Sequence, residues 1–370
     1  MRRHSVVQEI QGWIATGKLQ QGARLPSERQ LAIELGASRT AIQGALKELE
    51  SLGIVSRQAN CRPTISVQPP KPHSVDRPAA DQIAIWLLPK TQDLGGLMML
   101  QGIRTAFSER DYCLLITSPP AYDTDSIQRA ELQFLKAAKS NPRVAGVITW
   151  DAGNPKCHQA YQDLVDSEVP LVFVDRRPLR LIAADLVATN HRRAAYQAVS
   201  YLIELGHRSI AMVIANDRAS SVLDRIDGYK SALRDHDLGI DPSHMLHLNT
   251  REPGVDARSD EIVERLAQGE NAPTAVFAVN DHVGFHLMES AKRVGVAVPE
   301  RLSVIGFDWL AKWMPSGGDL STVAQPFEEI GRAAAHRVLD RIAEPGATSR
   351  EILFDAQLVL RSSTAKPVQT

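Results

Sequence analysis

The sequence predicts a small α+β domain of helices and two short strands, followed by a larger α/β body with parallel sheets in two lobes. Three observations lead to this fold class. Residues 1–68 show helical apolar periods and then two β-branched runs, residues 69–80 are rich in proline, and residues 81–370 alternate strand-like and helical patterns. A chain of 370 residues is long enough to form separate hydrophobic cores in the two parts. We therefore expect a head, a linker and a body with these boundaries.

Three helices and two strands are expected in the head. The first helix has an apolar stripe at helical spacing. Ser27 and Gln30 have the spacing of a capping box that opens the second helix, and Ser38 is suited to cap the third. The β-branched runs 54–58 and 64–67 predict two short strands with a turn between them. The tight spacing of the second and third helices is typical of a helix–turn–helix.

The start of the third helix carries side chains that are suited to reading DNA. Arg39, Thr40 and Gln43 lie away from the apolar face of this helix. Arg and Gln can each form two hydrogen bonds to base edges, and Thr can bond to a base or a phosphate. The same residue types also occur on ordinary solvated helices, so both interpretations stay open on these residues alone. The head has a charge of +4 against −5 for the remainder, which favours a polyanionic partner.

Seven runs of consecutive apolar residues in the body predict strands that are buried on both faces, as in parallel sheets covered by helices. They are 83–88, 113–117, 144–150, 170–175, 209–215, 275–280 and 302–308. Ligands bind beyond the carboxyl ends of such strands, where Trp150, Asp175, Asn280 and Asp308 are found. Asp and Asn at these positions also cap helices or form turns, which is the alternative interpretation.

Several classes of protein find no support in the sequence. The three cysteines lack zinc spacing, no signal peptide is recognisable, and no apolar run is long enough to span a membrane. His282 and His286 have the spacing of a zinc pair, but no third-ligand pattern accompanies them. Nucleophile elbow, P-loop and dinucleotide motifs are missing. We expect a cytoplasmic, nucleoid-associated protein that is not an enzyme and that uses no cofactor or metal.

The patterns LPSERQLA, LGASRTAIQGAL and ELESLGIV resemble the winged-helix DNA-binding domain of the GntR family of bacterial regulators, over nearly all of residues 1–68. In that family the arginine of LPSER grips the DNA backbone and the first turn of the third helix reads the operator. The resemblance implies DNA contacts from Arg29, Ser38, Arg39, Thr40, Gln43 and, in the wing, Arg62. Two positions depart from the family pattern: Gln43 stands where arginine is common, and the wing turn ANCRP has no glycine.

The body resembles the effector domain of the LacI/GalR family, which has a two-lobed periplasmic-binding-protein-like fold. The matching motifs cover residues 81–364 and include PLVFVDRR, YLIELGHRSIAMV, RIDGY, AVFAVND, VPERLSVIGFD, LSTVAQPFEEIG and LVLRSST. Carboxylates, arginine and aromatic faces are the groups that bind the hydroxyls and C–H faces of sugars. The resemblance and the strand ends imply effector contacts from Gln92, Trp150, Asp175, Arg225, Asn280, Asp308, Gln325 and Phe327.

The combination of the two domains resembles the arabinose-repressor type of hybrid regulator. It predicts a bacterial transcription repressor that binds double-stranded operator DNA as a homodimer on a palindromic site. The expected effector is a small molecule, a sugar or sugar derivative, and no membrane partner is expected. The alternatives are a cytosolic sugar-binding receptor, an activator without repressor function, or an enzyme that hydrolyses nucleosides or modifies sugars.

Overall fold

The computed structural model of the chain describes residues 3–15, 18–19, 22–51, 54–56, 63–65, 80–87, 94–117, 123–215, 219–250, 253–269, 271–310 and 317–368. The chain forms two compact units, Met1–Arg77 and Pro78–Thr370. In the described segments no helix has both the length and the apolar character needed to cross a membrane.

The first unit contains three helices and a two-stranded antiparallel sheet, as the sequence predicts. The elements are α1 (Arg3–Ala15), α2 (Glu28–Glu34), α3 (Arg39–Ser51), β1 (Val55–Ser56) and β2 (Thr64–Ile65). The predicted capping box opens α2, because Gln30 N donates to Ser27 Oγ while Ser27 N donates to Gln30 Oε1. Residues from all three helices form the core: Val6, Val7, Ile10, Leu31, Ile42, Ala45, Leu46 and Leu49.

The second strand of the pair is tied to the segment that precedes α2. Val55 lies opposite Ile65, and Thr64 forms a further bridge to Arg24. Leu25 N also donates to Pro63 O at 2.8 Å, just before β2. The turn of the pair, with Arg62, lies outside the described residues.

The second unit consists of two lobes, each built on a six-stranded sheet. The strands are β3 (Gln82–Trp86), β4 (Cys113–Thr117), β5 (Val144–Thr149), β6 (Leu171–Val174), β7 (Asp185–Thr189), β8 (Ile210–Ile214), β9 (Met245–His247), β10 (Ala275–Ala278), β11 (Ser303–Asp308), β12 (Ser321–Ala324), β13 (Glu351–Phe354) and β14 (Gln357–Val359). The first lobe has the strand order β13-β7-β6-β5-β3-β4 and the second has β14-β12-β11-β10-β8-β9. Neighbouring strands are parallel, except that β14 runs antiparallel to β12.

Helices cover these sheets and bury their apolar residues. They are α4 (Leu94–Phe107), α5 (Thr124–Ser140), α6 (His158–Asp166), α7 (His191–Glu204), α8 (Ser220–Asp235), α9 (Val255–Ala267), α10 (Asp281–Val294) and α11 (Phe327–Ala343). Each face of the first lobe's sheet carries its own apolar cluster, one with α5 and α6 and the other with α4 and α11. This burial on both faces explains the unbroken apolar runs of the central strands.

The chain crosses between the lobes at 189–191, 324–327 and 354–357, since the strands and helices on either side belong to different lobes. After the second crossing, α11 packs closely on α4 of the first lobe. A Cβ at Gly331 would lie 2.0 Å from the main-chain oxygen of Met99, so only glycine permits this approach. Three crossings bring the carboxyl ends of both sheets to the same boundary.

All seven predicted strands are present, and five further strands (β7, β9, β12, β13 and β14) were not predicted. The missed strands are short, lie at sheet edges or begin and end with polar residues. Asp185 and Thr189 at the two ends of β7 are both buried, although they are polar. Their burial depends on partners elsewhere in the fold, which the local apolar pattern does not reveal.

Candidate functional site

A network of hydrogen bonds joins the carboxyl ends of strands from the two lobes. Asp175 follows β6 of the first lobe and is held by His191, the first residue of α7. His191 Nε2 lies 3.1 Å from the main-chain oxygen of Asp175 and 3.2 Å from its Oδ1. This contact crosses the boundary between the lobes, since α7 belongs to the core of the second lobe.

The charge of the Asp175 carboxylate is stabilised by its neighbours. Burial opposes ionisation, but the hydrogen bond from His191 and the nearby positive charges of Arg225 and Arg176 outweigh it and lower the pKa of Asp175 to about 2. The carboxylate is therefore ionised at neutral pH and able to accept hydrogen bonds from a ligand.

Arg225 connects this corner to the second lobe. Its guanidinium donates from Nε to His191 Nδ1 at 3.3 Å and from one terminal nitrogen to Val279 O at 2.7 Å. The other terminal nitrogen lies 3.1 Å from Asp308 Oδ1, at the end of β11. Because Arg225 donates to Nδ1, the ring hydrogen of His191 is on Nε2, where it faces Asp175. The guanidinium also lies over the ring of Phe307, 3.8 Å from its centroid.

Gln325 extends the network back to the first lobe. It donates from Nε2 to Asp308 Oδ1 at 2.7 Å and accepts from Thr189 Oγ1 at 2.6 Å. Gln325 and Thr189 lie in two different crossings between the lobes. The network thus runs from Asp175 to Thr189 through side chains of both lobes, and any movement of one lobe against the other must break some of these bonds.

Backbone strain accompanies this network. Among the described residues, five other than glycine have a positive φ, and three of them are Asp175 (63°), Asp308 (111°) and Trp309 (66°). The segment after β11 is held in this conformation by the buried carboxylate of Asp281, which accepts from Leu310 N and from Thr322 Oγ1 at 2.6 Å each. Clusters of such unfavourable backbone conformations are characteristic of binding sites.

Trp150 lies beside Asp175, because β5 and β6 are neighbours in the sheet and both residues follow these strands. Its indole Nε1 donates to Asp175 Oδ2 at 3.3 Å. One face of the indole is covered by the guanidinium of Arg176, 3.3 Å from the ring centroid. The stack fixes the orientation of both side chains.

Two buried carboxylates, Glu131 and Asp151, lie next to Trp150 in the first lobe. Glu131 of α5 accepts at Oε1 from Ala152 N (2.9 Å) and from Tyr161 OH (2.7 Å), and at Oε2 from Cys157 Sγ (3.3 Å). Burial and the neighbouring charge of Asp151 raise the pKa of Glu131 to about 7. Burial raises the pKa of Asp151 as well, against the lowering effect of Arg176. This pair was not found from the sequence, because Glu131 lies within an ordinary helix.

The remaining predicted effector residues have other surroundings. Asn280 caps α10, accepting from Val283 N at 2.9 Å, which is the alternative that the sequence left open. Phe327 is packed in the core of the first lobe against Gly95, where an added Cβ would lie 2.8 Å from its ring. Gln92 lies outside the described residues. The effector contacts of all eight predicted residues stay predictions.

His191 and Thr189 were missed by the sequence reasoning. Both flank the carboxyl end of β7, a strand that was not predicted. Had the run DLVAT been interpreted as a strand, the rule that ligands bind at strand ends would have selected both residues.

The first unit presents the predicted DNA-reading residues on one exposed helix start. Arg39, Thr40 and Gln43 are exposed on α3, while the opposite face of the helix is buried. Ser38 caps the helix by accepting from Ala41 N at 3.2 Å. Arg29 is exposed on α2.

One contact between α2 and α3 orients a predicted reading residue. Gln43 donates from Nε2 to Glu28 Oε2 at 3.0 Å. Because a carboxylate only accepts, the amide nitrogen of Gln43 faces Glu28 and its Oε1 remains an acceptor.

Comparisons with known proteins agree with both units. Residues 2–61 match the model of the bacterial regulatory proteins of the gntR family, and residues 199–364 match the periplasmic binding protein-like domain. The LacI family transcriptional regulator from Enterococcus faecium, solved with bound ribose, has a TM-score of 0.62 and 25% identity, covering 77% of this chain and 99% of that chain.

Two curated relatives cover most of the chain. The arabinose metabolism transcriptional repressor of Geobacillus stearothermophilus is 26% identical over 364 residues, which is 96% of each protein. The HTH-type transcriptional repressor PurR of Vibrio atlanticus is 31% identical over 267 residues, 72% of this chain and 77% of the relative. The chain therefore belongs to the bacterial DNA-binding transcription regulators of the LacI/GalR type, with a GntR-type DNA-binding domain at its N-terminal end.

Proposed function

We propose that this regulator is a repressor that binds a palindromic operator as a homodimer and is controlled by a neutral sugar. Residues 1–68 form the DNA-binding domain, 69–80 the linker and 81–370 the effector-binding and dimerisation domain. One recognition helix covers a short half-site, so tight and selective binding requires two copies on a two-fold symmetric operator. The protein works on chromosomal DNA in the cytoplasm. Similarity over 96% of the chain to the arabinose metabolism transcriptional repressor of Geobacillus stearothermophilus supports the repressor assignment.

In this proposal Arg39, Thr40 and Gln43 contact base edges, Arg29 and Ser38 contact the backbone, and Arg62 contacts DNA from the wing. The exposed position of the first three on the start of α3 supports the assignment. The Glu28 contact leaves Gln43 Oε1 as an acceptor, which suits the exocyclic amino groups of adenine and cytosine.

Replacing Arg39 by alanine should weaken operator binding by about 1–3 kcal/mol and relax the base preference at one position of each half-site, because a bidentate base contact is lost. Arg29→Ala is the matched control, since it removes the same charge from a backbone contact. This variant should weaken binding to all operator sequences equally and reduce the slope of log K against log salt by about one. Fluorescence anisotropy with single-base operator variants measures both effects. Unaltered selectivity in the Arg39 variant contradicts the assignment.

The effector proposal rests on the hydrogen-bonded network between the lobes. Its acidic groups already have basic neighbours within the protein: Asp308 contacts Arg225, and Asp175 contacts His191. A neutral ligand rich in hydroxyls can exchange these hydrogen bonds without bringing a counter-charge, and the indole of Trp150 offers an apolar surface to its C–H face. The proposed contacts are Gln92, Trp150, Asp175, Arg225, Asn280, Asp308, Gln325 and Phe327, to which we add His191.

Control of DNA binding follows from the position of this network. A sugar that replaces bonds between the lobes binds one arrangement of the lobes better than another, and only such a difference in affinity can change operator binding.

The test is a thermal-shift screen of the full chain against pentoses, hexoses, uronic acids, disaccharides and purines. A neutral sugar at 100 times its Kd should stabilise the protein by about 2.7 kcal/mol. Asp308→Asn should remove the shift, because the amide presents a neutral group to Arg225 and to the ligand, whereas Asp355→Asn at an exposed position should keep it. A shift with purines alone would show that the effector is not a sugar.

A further inference from the structure

A concave surface of about 520 Å³ lies between α7 and α8 on the second lobe, and none of its lining residues is a member of the network described above. Six of its lining residues are Arg192, Arg193, Tyr196, Ser231, Arg234 and Asp235. The lining contains three guanidinium groups and one carboxylate, so it carries an excess of two positive charges. We call this surface the α7–α8 concavity.

The arginines of the α7–α8 concavity are weakly engaged by the protein. Arg192 donates to Ser231 Oγ at 3.4 Å, and Arg234 donates from Nε to the main-chain oxygen of Lys230 at 3.1 Å. Within the described segments neither guanidinium has a carboxylate partner. Arg193 lies 3.2 Å from Asp355, but both side chains are more than half exposed, where an ion pair contributes little. Most of the guanidinium donors therefore face solvent.

The two helices that carry these arginines are rigidly packed together. Gly228 of α8 approaches Arg192 of α7 so closely that a Cβ would lie 2.2 Å from the Arg192 main-chain oxygen. The arginines therefore extend from fixed helices and are partly pre-organised for a ligand, which reduces the entropy lost on binding.

We propose that the α7–α8 concavity is a second ligand site, which binds a small anion bearing phosphate groups. Guanidinium groups present paired donors that match phosphate oxygens, and several of them around one concave surface favour a multiply charged group. The volume is in the range of small-molecule sites. The polar, open lining provides little apolar burial, so recognition is electrostatic and selects charge rather than shape.

The site is also placed to influence the effector network. Arg192 directly follows His191, and α8 carries Arg225 as well as Ser231 and Arg234. An anion bound in the concavity acts on the two helices that hold the network. If it changes the affinity for the effector by some factor, the effector changes the affinity for the anion by the same factor. This coupling rests on the proposed effector function, but the presence of the site does not.

Isothermal titration of the full chain with pyrophosphate, without DNA or sugar and at an ionic strength held constant with NaCl, tests the site. Saturable binding is expected, and the double variant Arg192→Ala/Arg234→Ala should weaken it at least tenfold. The control Arg110→Ala/Arg129→Ala removes the same charge from exposed positions of the first lobe and should change the affinity less than twofold.

Unsaturable heats, equal affinity in the Arg192/Arg234 variant, or an equal loss in the control would each overturn the proposal. Parallel titrations with inorganic phosphate and glucose 6-phosphate distinguish the two sources of the phosphate group, because the tighter ligand identifies free phosphate or a phosphorylated metabolite. A failed sugar screen with positive pyrophosphate binding would refute the sugar effector alone.

Discussion

Replacing Arg225 by alanine is expected to abolish the effector response and to lower the free energy of unfolding by about 3–5 kcal/mol, because it leaves one partner of a buried ion pair without its counter-charge. Arg225 is 4% exposed and holds Asp308, His191 and the main-chain oxygen of Val279 at once. Its loss removes donors that no other side chain at this point replaces. Urea unfolding followed by tryptophan fluorescence gives the stability change.

Operator affinity separates a binding role of Arg225 from a purely structural one. At a temperature where the variant is folded, anisotropy should show wild-type operator affinity together with no response to the sugar. Arg258→Ala is the control, since its ion pair with Glu261 is about two-thirds exposed and is expected to contribute less than about 1 kcal/mol. Loss of both operator binding and effector response would show that Arg225 serves folding.

The substitution Glu131→Gln is expected to change stability relative to the wild type by about 2.5 kcal/mol more favourably at pH 8 than at pH 5. The pKa of Glu131 is raised from 4.5 to about 7 in the folded chain, so the native state binds the proton more tightly than the unfolded state does. The contribution of Glu131 to the stability of the wild type therefore falls as the pH rises from about 4.5 to 7, and this loss is nearly complete by pH 8.

Glutamine removes that titration while keeping the hydrogen bonds. Its amide oxygen can accept from Ala152 N and Tyr161 OH, and its nitrogen can donate to Cys157 Sγ. Urea unfolding at pH 5 and pH 8, with the exposed Glu264→Gln as control, measures the difference. A stability difference between Glu131→Gln and wild type that is the same at both pH values would contradict the assigned ionisation.

Much of the fold could be predicted because its signals are local. The two partners of the capping box, Ser27 and Gln30, are three positions apart, and the apolar runs of the central strands reflect burial on both faces. Strand β7 was missed because its polar ends, Asp185 and Thr189, are buried by distant partners. Asp185 is held by Arg337 of α11 at 2.7 Å, 152 residues away.

The binding network could be predicted only in part. The strand-end rule and the family resemblance selected Asp175, Arg225, Asp308 and Gln325, which the structure brings into one hydrogen-bonded chain. His191 was not predicted, because it follows β7, a strand that the sequence analysis did not identify. Asn280 caps α10, a role that the sequence left open beside ligand contact, and its effector contact stays a prediction.

The amino-acid sequence alone indicated the elements of the first unit, seven strands of the second, the separation into two units and the residue types available at the predicted strand ends. Tertiary structure decided which of those residues meet, such as Gln325 with Thr189 across 136 residues and His191 with Asp175 across the lobe boundary. The physical reason is the range of the forces involved. Periodicity and capping act within a few residues, whereas contacts between lobes depend on how three crossings of the chain align two separately packed sheets.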